Sequence, residues 1–252
     1  MDELDKIRQC ARPVIFTTDI PEYPFSIGGT AFLVGFGHNL FIVTAKHVVQ
    51  NYPPEKLLVY PSNKSKKHIR IANWWDVCEE SGNTECSDII ICKADLGLIP
   101  KNDRKKSHLL FLSPPQSIEW FDSRLTATFF LCGYPHDTNE IDYEAPQINT
   151  GQVLLLARYV GPSEAEGCYK LRAENPLNIS NFNGLSGSPV FSIQTKNPFS
   201  ADSDPKPKFC GMVLRGSSAE GFIHFIPAGS IAHVLQAILQ RLRVVDIETC
   251  HK

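Results

Sequence analysis

The sequence lacks any run approaching the roughly 18 apolar residues that a membrane-spanning helix needs, so no membrane partner is expected. It also lacks an apolar stretch behind its acidic start, Met1-Asp2-Glu3-Leu4-Asp5-Lys6. A secretory signal has a basic start and about 7–15 apolar residues, so a cytoplasmic location is the expectation. Net charge is small, −2 over 252 residues. Proteins that neutralise phosphates carry a basic stripe, so nucleic acid is not expected as a partner. The basic runs around Lys64–Arg70 and Lys101–Lys106 sit beside turn-type residues and read as solvated loops. No CxxC pair is present, although there are eight cysteines: Cys10, Cys78, Cys86, Cys92, Cys132, Cys168, Cys210 and Cys250. Structural zinc takes its ligands in close pairs, so neither a metal nor another cofactor is expected. Without a secretory signal a disulfide framework is not expected either. Cysteines inside apolar runs, such as Ile89-Ile90-Ile91-Cys92, read as small core hydrophobes.

What is present is an ordinary globular balance, 42 % hydrophobic and 21 % charged. A chain of this length can bury a large core unaided, as one domain or two small, closely packed ones. Short apolar runs recur between turn residues: Thr30–Val34, Leu40–Thr44, Lys56–Tyr60, Ile89–Cys92, Thr126–Leu131, Gln152–Tyr159, Pro189–Ile193, Phe209–Leu214 and Phe222–Ile226. Regular short strands with such punctuation predict an all-β sandwich or barrel. Two helices are predicted, a short one over Asp2–Cys10 and one over Ser230–Arg243. The latter has Ile231, Val234, Leu235, Ile238 and Leu242 at helical spacing and a Gly229-Ser230 N-cap. Gly97–Glu119, with three prolines, reads as a crossover between two β units. Asn197–Lys208 reads as an exposed hairpin loop.

Three segments carry chemistry. Serine hydrolysis needs a hydroxyl, a base to take its proton, and an acid that orients the base. It also needs backbone N–H groups aimed at the developing oxyanion. Asn183-Gly184-Leu185-Ser186-Gly187-Ser188-Pro189-Val190 places a serine in a glycine-flanked turn, where the N–H groups of Gly184 and Ser186 can share a pocket. Phe41-Ile42-Val43-Thr44-Ala45-Lys46-His47-Val48 places a histidine just past an apolar strand. Ser87-Asp88-Ile89-Ile90-Ile91-Cys92-Lys93 opens a strand with an aspartate, with Asp76 and Asp95 as the other candidate acids. Singly, each is most often a turn, a surface histidine or a cap.

Together they resemble the trypsin-like serine peptidases. Gly184–Pro189 resembles their G-D/N-S-G-G-P loop, Thr44–Val48 their histidine motif, and Asp88–Lys93 the aspartate strand of the HtrA-like branch. Gly28–Val34 resembles the strand before the histidine, Leu131–Pro135 and Thr150–Val153 later strands, and Gly211–Gly216 the strand that pairs with substrate backbone. The order His, Asp, Ser is that of the chymotrypsin fold; an α/β-hydrolase has Ser first. The resemblance implies an all-β fold of two packed Greek-key β-barrels of the chymotrypsin type with a C-terminal closing helix. It divides the chain into halves at residues 1–112 and 113–252. It implies a serine endopeptidase acting through His47, Asp88 and Ser186, with Gly184 and Ser186 forming the oxyanion hole. The substrate, a protein or peptide, would lie along Leu214, Arg215 and Gly216, with Ser180 near the base of the primary pocket. A neutral Ser180 disfavours a cationic residue there, because nothing would compensate its desolvation.

Two positions depart from the pattern. Leu185 stands where secreted relatives have an aspartate that captures a new N-terminus, so activation through that ion pair is not expected. Regulation, where present, would fall to a partner protein or a loop rearrangement. Ser188 stands where the second glycine is usual. The alternative to an active enzyme is a catalytically weak peptide-binding or regulatory module on the same fold.

Overall fold

The computed structural model describes residues 3–49, 52–62, 65, 67–77, 87–99, 110–112, 118–145, 147–174, 181–193 and 207–249. The first half forms one antiparallel sheet around the apolar run Ala31–Val34 and its neighbours. Its strands are β1 (Ala11–Thr17), β2 (Phe25–Phe36), β3 (Asn39–Ala45), β4 (Leu57–Leu58), β5 (Ile71–Asp76) and β6 (Ile89–Ala94). They lie in the order β4-β1-β2-β3-β6-β5, with the short β7 (Leu110–Phe111) added parallel to β2. Its two outer strands, β4 and β5, are not hydrogen-bonded to each other, so the sheet is a half-barrel. Side chains on β2, β3 and β6 are buried almost without interruption, which is why those runs do not alternate with polar residues.

The second half closes fully. β8 (Thr128–Gly133), β11 (Val153–Pro162), β12 (Tyr169–Ala173), β13 (Pro189–Ile193), β14 (Lys208–Ser217) and β15 (Phe222–Pro227) form a barrel in the order β11-β12-β15-β14-β13-β8. A separate hairpin, β9 (Asn139–Asp142) with β10 (Gln147–Thr150), stands outside it. Trp120 plugs the barrel, edge-on to Phe129 and Tyr169 and tilted against Phe225. An aromatic side chain buried this way contributes about 1.5–3 kcal/mol through lost water contact.

The predicted strands are found, and β1, β5, β9, β10 and β12 are present in addition. Lys56–Tyr60 yields only the two-residue β4, because Pro53-Pro54 drives the preceding residues into a 3-10 turn. The crossover contributes β7, and the predicted hairpin loop falls almost wholly outside the described residues. The helices are α1 (Glu3–Arg8) and α2 (Ala228–Thr249). α2 begins two residues before its predicted start. Its buried face of Ala228, Ile231, Ala232, Leu235 and Ile238 joins the core of the first sheet, together with Leu214 and Ile226 of the barrel. It therefore packs across both units, and Trp120 is what fills the barrel interior.

Among the described residues no helix is long and apolar enough to cross a membrane. Cys10, Cys92, Cys132 and Cys210 are buried thiols outside any disulfide.

Candidate active site

β3 and β6 pair antiparallel with Ala45 opposite Ile89, so the residues just beyond these strand ends face each other. Those residues are His47, in the 3-10 turn Lys46–Val48, and Asp88. The Asp88 carboxylate holds His47 twice. Oδ1 accepts from the His47 backbone N–H at 2.9 Å, and Oδ2 lies 2.6 Å from ring Nδ1. The Lys46 N–H also donates to the Asp88 carbonyl at 3.2 Å. An ionised carboxylate can only accept, so Nδ1 must carry the hydrogen and a neutral ring leaves Nε2 bare. The His47 side chain is 43 % exposed and that of Asp88 21 %, so the ring faces the cleft while its partner sits behind. Of the other carboxylates, Asp76 pairs with Lys46 at 2.6 Å and Asp95 caps the turn at Gly97. A cavity of about 410 Å³ lies beside the pair, lined by Lys46, Tyr52, Trp74 and Asp76 among others.

Ser186 lies in the turn that feeds β13. Leu185 N–H donates to Phe182 O at 3.1 Å, Ser188 N–H to Leu185 O at 2.9 Å and Gly187 N–H to Val213 O at 2.8 Å. The Asn183 carbonyl accepts from His136 N–H at 2.8 Å. Peptide planes carry their N–H opposite their C=O. Fixing the carbonyls of Asn183 and Leu185 therefore sends the Gly184 and Ser186 N–H groups the other way. Among the described residues these two N–H groups donate to nothing in the protein. The turn depends on left-handed backbone at Gly184 (φ +89°) and Gly187 (φ +84°). A Cβ on Gly187 would sit 1.9 Å from Thr30 O, so no side chain fits there.

Thr30 of β2, fully buried, joins the two halves. Its Oγ1 donates to Gly184 O at 2.8 Å and accepts from Tyr134 N–H at 2.9 Å, and its N–H donates to Ser186 O at 3.1 Å. Its carbonyl accepts from Thr44 Oγ1 at 2.6 Å, on the strand leading to His47. Gly29, next to it, is wedged between the loops: a Cβ there would lie 3.2 Å from Val48 Cγ2 and 3.3 Å from Ser186 O. The histidine turn and the serine turn are thus held against the same short piece of β2. Among the described residues no hydrogen bond joins the His47 ring to the Ser186 hydroxyl. Such bonds are often long before substrate binds.

The other predicted positions divide. Leu214 turns its side chain into the core and can offer a peptide backbone only, while Arg215 and Gly216 are exposed. β13 pairs with β14 only at Lys208–Met212, so among the described residues Leu214–Ser217 is paired with a strand, β15, on one side only. Phe182 closes over Gly216, where a Cβ would come within 2.8 Å of its ring. Ser180 lies outside the described residues. Ser188 is fully buried, and its hydroxyl has no partner among the described residues. The roles of Thr30 and His136 were not assigned from sequence. Thr30 stood inside a strand motif, and only the fold reveals what its hydroxyl meets. Among the described residues no cluster of side chains could hold a metal ion.

Neither a protein-family model nor a curated protein sequence matches the chain. Among solved structures it is similar to the scabies mite inactivated protease paralogue S-D1, with a TM-score of 0.57 and 12 % identity. The match covers 92 % of this chain and 93 % of that one. Taken with the closed six-stranded barrel, the half-barrel beside it and the C-terminal helix, this similarity shows that the chain has a chymotrypsin-like fold.

Proposed function

We propose that the protein is a serine endopeptidase of the HtrA-like branch, with Ser186 as nucleophile, His47 as general base and Asp88 as the residue that orients it. The observation that carries this reading is the double hold of Asp88 on His47, 2.9 Å to the backbone and 2.6 Å to Nδ1. It leaves Nε2 as the basic atom, and it comes from the sequence positions where the motifs put base and acid. In this reading His47 Nε2 takes the Ser186 proton as Oγ attacks the peptide carbonyl. The N–H groups of Gly184 and Ser186 receive the oxyanion, and His47 then protonates the leaving amine. Asp88 stays ionised and stabilises the imidazolium. The substrate adds as a strand along Leu214–Gly216, in the cytoplasm, with no metal or cofactor.

Substrate profiling of the purified protein with a peptide library tests this. Cleavage is expected, lowered by at least about 10³-fold in Ser186→Ala and in His47→Ala. Asp88→Asn should fall by a similar order, because an amide no longer fixes the tautomer. Cleavage unchanged in Ser186→Ala would assign it to something else.

A second reading, a peptide-binding or regulatory module with little turnover, is favoured by one observation: the missing hydrogen bond between ring and hydroxyl. It predicts saturable peptide binding with no acyl-enzyme under any substrate.

A further inference from the structure

Arg12 is 2 % exposed, yet it is a cation with no carboxylate beside it among the described residues. Its guanidinium makes four hydrogen bonds, all to carbonyl oxygens. Nε reaches Tyr60 O at 2.9 Å, Nη2 reaches Pro61 O at 2.6 Å, and Nη1 reaches Ala11 O at 2.8 Å as well as Gln9 O. Burial lowers its proton affinity, and the groups that act on it electrostatically, Tyr134 and Cys10, are uncharged at neutral pH. The guanidinium still stays protonated. Carbonyl dipoles partly solvate it but do not neutralise it. A guanidinium has five N–H groups, so one on Nη2 remains.

Arg12 lines a cavity of about 480 Å³ bounded by β1, by Tyr60, Ser62 and Ser65, and by β10. This lies within the roughly 300–1,000 Å³ usual for small-molecule sites. Ser62, Ser65 and Thr150 bring hydroxyls to it, and Pro13, Ile15 and Ile148 form an apolar wall. The Ser62 and Ser65 hydroxyls bond each other at 2.9 Å, which leaves the pair one hydrogen to donate. An uncompensated buried cation on a residue that lines a cavity together with two serines and a threonine favours an anion. The paired Nε and Nη2 edge is already committed to Tyr60 and Pro61, which blocks the two-point capture of a planar carboxylate. A tetrahedral oxyanion collects single hydrogen bonds from several directions and suits what is left.

We infer that this cavity binds a small phosphate monoester, its phosphate toward Arg12, Ser62, Ser65 and Thr150 and its organic body on the apolar wall. Arg12 and Pro13 pair with Ala31 and Thr30 across β1 and β2. The ligand therefore bears on the strand that holds the Ser186 turn.

The test is titration calorimetry with inorganic phosphate and AMP as probes, and adenosine and succinate as controls. Saturable binding is expected for phosphate and more tightly for AMP, and none for adenosine or succinate. Arg12→Met removes carbonyl anchors along with the charge, so the deciding variant is Ser62→Ala/Ser65→Ala/Thr150→Val, which keeps Arg12. With wild-type circular dichroism, it should bind AMP at least about tenfold more weakly. No saturable heat from phosphate or AMP, equal binding of succinate, or unchanged AMP affinity in the triple variant would each overturn the site. Binding is read without turnover, so its failure is separate from failure of the peptidase reading.

Discussion

Replacing Thr30 with valine keeps the shape of the side chain and removes only its hydroxyl. Two hydrogen bonds go with it, from Oγ1 to Gly184 O at 2.8 Å and from Tyr134 N–H to Oγ1 at 2.9 Å. Thr30, Gly184 and Tyr134 are all buried, so water cannot replace the lost partner. An unsatisfied buried group costs about 1–3 kcal/mol, and two of them give about 2–6 kcal/mol. That is a large share of the roughly 5–15 kcal/mol that holds a typical domain folded. Thr30→Ser keeps the hydroxyl and loses one methyl, for about 0.5–1.5 kcal/mol. Urea unfolding of the three proteins should rank them wild type, serine, valine. In peptide hydrolysis the valine variant should lose kcat by about tenfold or more with KM little changed. A freed Gly184 carbonyl loosens the Gly184–Leu185 peptide, which lies between the two oxyanion donors, and a single misplaced donor costs up to about 10²–10³-fold. The serine variant should keep near-wild-type kcat. A valine variant within about 0.5 kcal/mol of wild type and with full kcat would refute the role given to Thr30.

Three further outcomes follow from the same geometry. Ser188→Ala should raise stability by about 1–2 kcal/mol in urea unfolding, because the buried Ser188 hydroxyl finds no partner among the described residues. A loss of stability would mean that hydroxyl is satisfied. Gly187→Ala should abolish cleavage and lower stability sharply, since its Cβ would lie 1.9 Å from Thr30 O at φ +84°. A variant with wild-type Tm would contradict the turn as drawn. Burial pushes the Cys92 and Cys132 thiols up to about 12 and those of Cys10 and Cys210 upward as well. At pH 8 these four should resist iodoacetamide in the native protein and react in urea, read by peptide mass mapping.

Much of this site was legible because its motifs are local. The run Phe41–Ala45 can only be a buried strand, and a histidine two residues past its end is carried to the sheet rim. Asp88, one residue before the apolar Ile89–Ala94, must sit at the same rim once β3 and β6 pair. The turn at Ser186 announces itself through Gly184 and Gly187, whose positive φ angles other residues avoid. What sequence could not give was tertiary. Thr30 and Asn183 acquire meaning only when β2 and the His136 turn are brought against the Ser186 loop. The closing helix was located, but its buried face could not reveal that it packs across both units. Nor could the motif at Gly211–Gly216 tell that Leu214 points inward, since a bulge between Val213 and Arg215 breaks the alternation there.

The most direct measurement of the central claim is active-site labelling with a fluorophosphonate, followed by mass mapping of the labelled peptide. A single adduct on Ser186 is expected, absent in Ser186→Ala and formed orders of magnitude more slowly in His47→Ala. An intact, folded protein that takes no label, or one that is labelled just as fast without the imidazole, would contradict it.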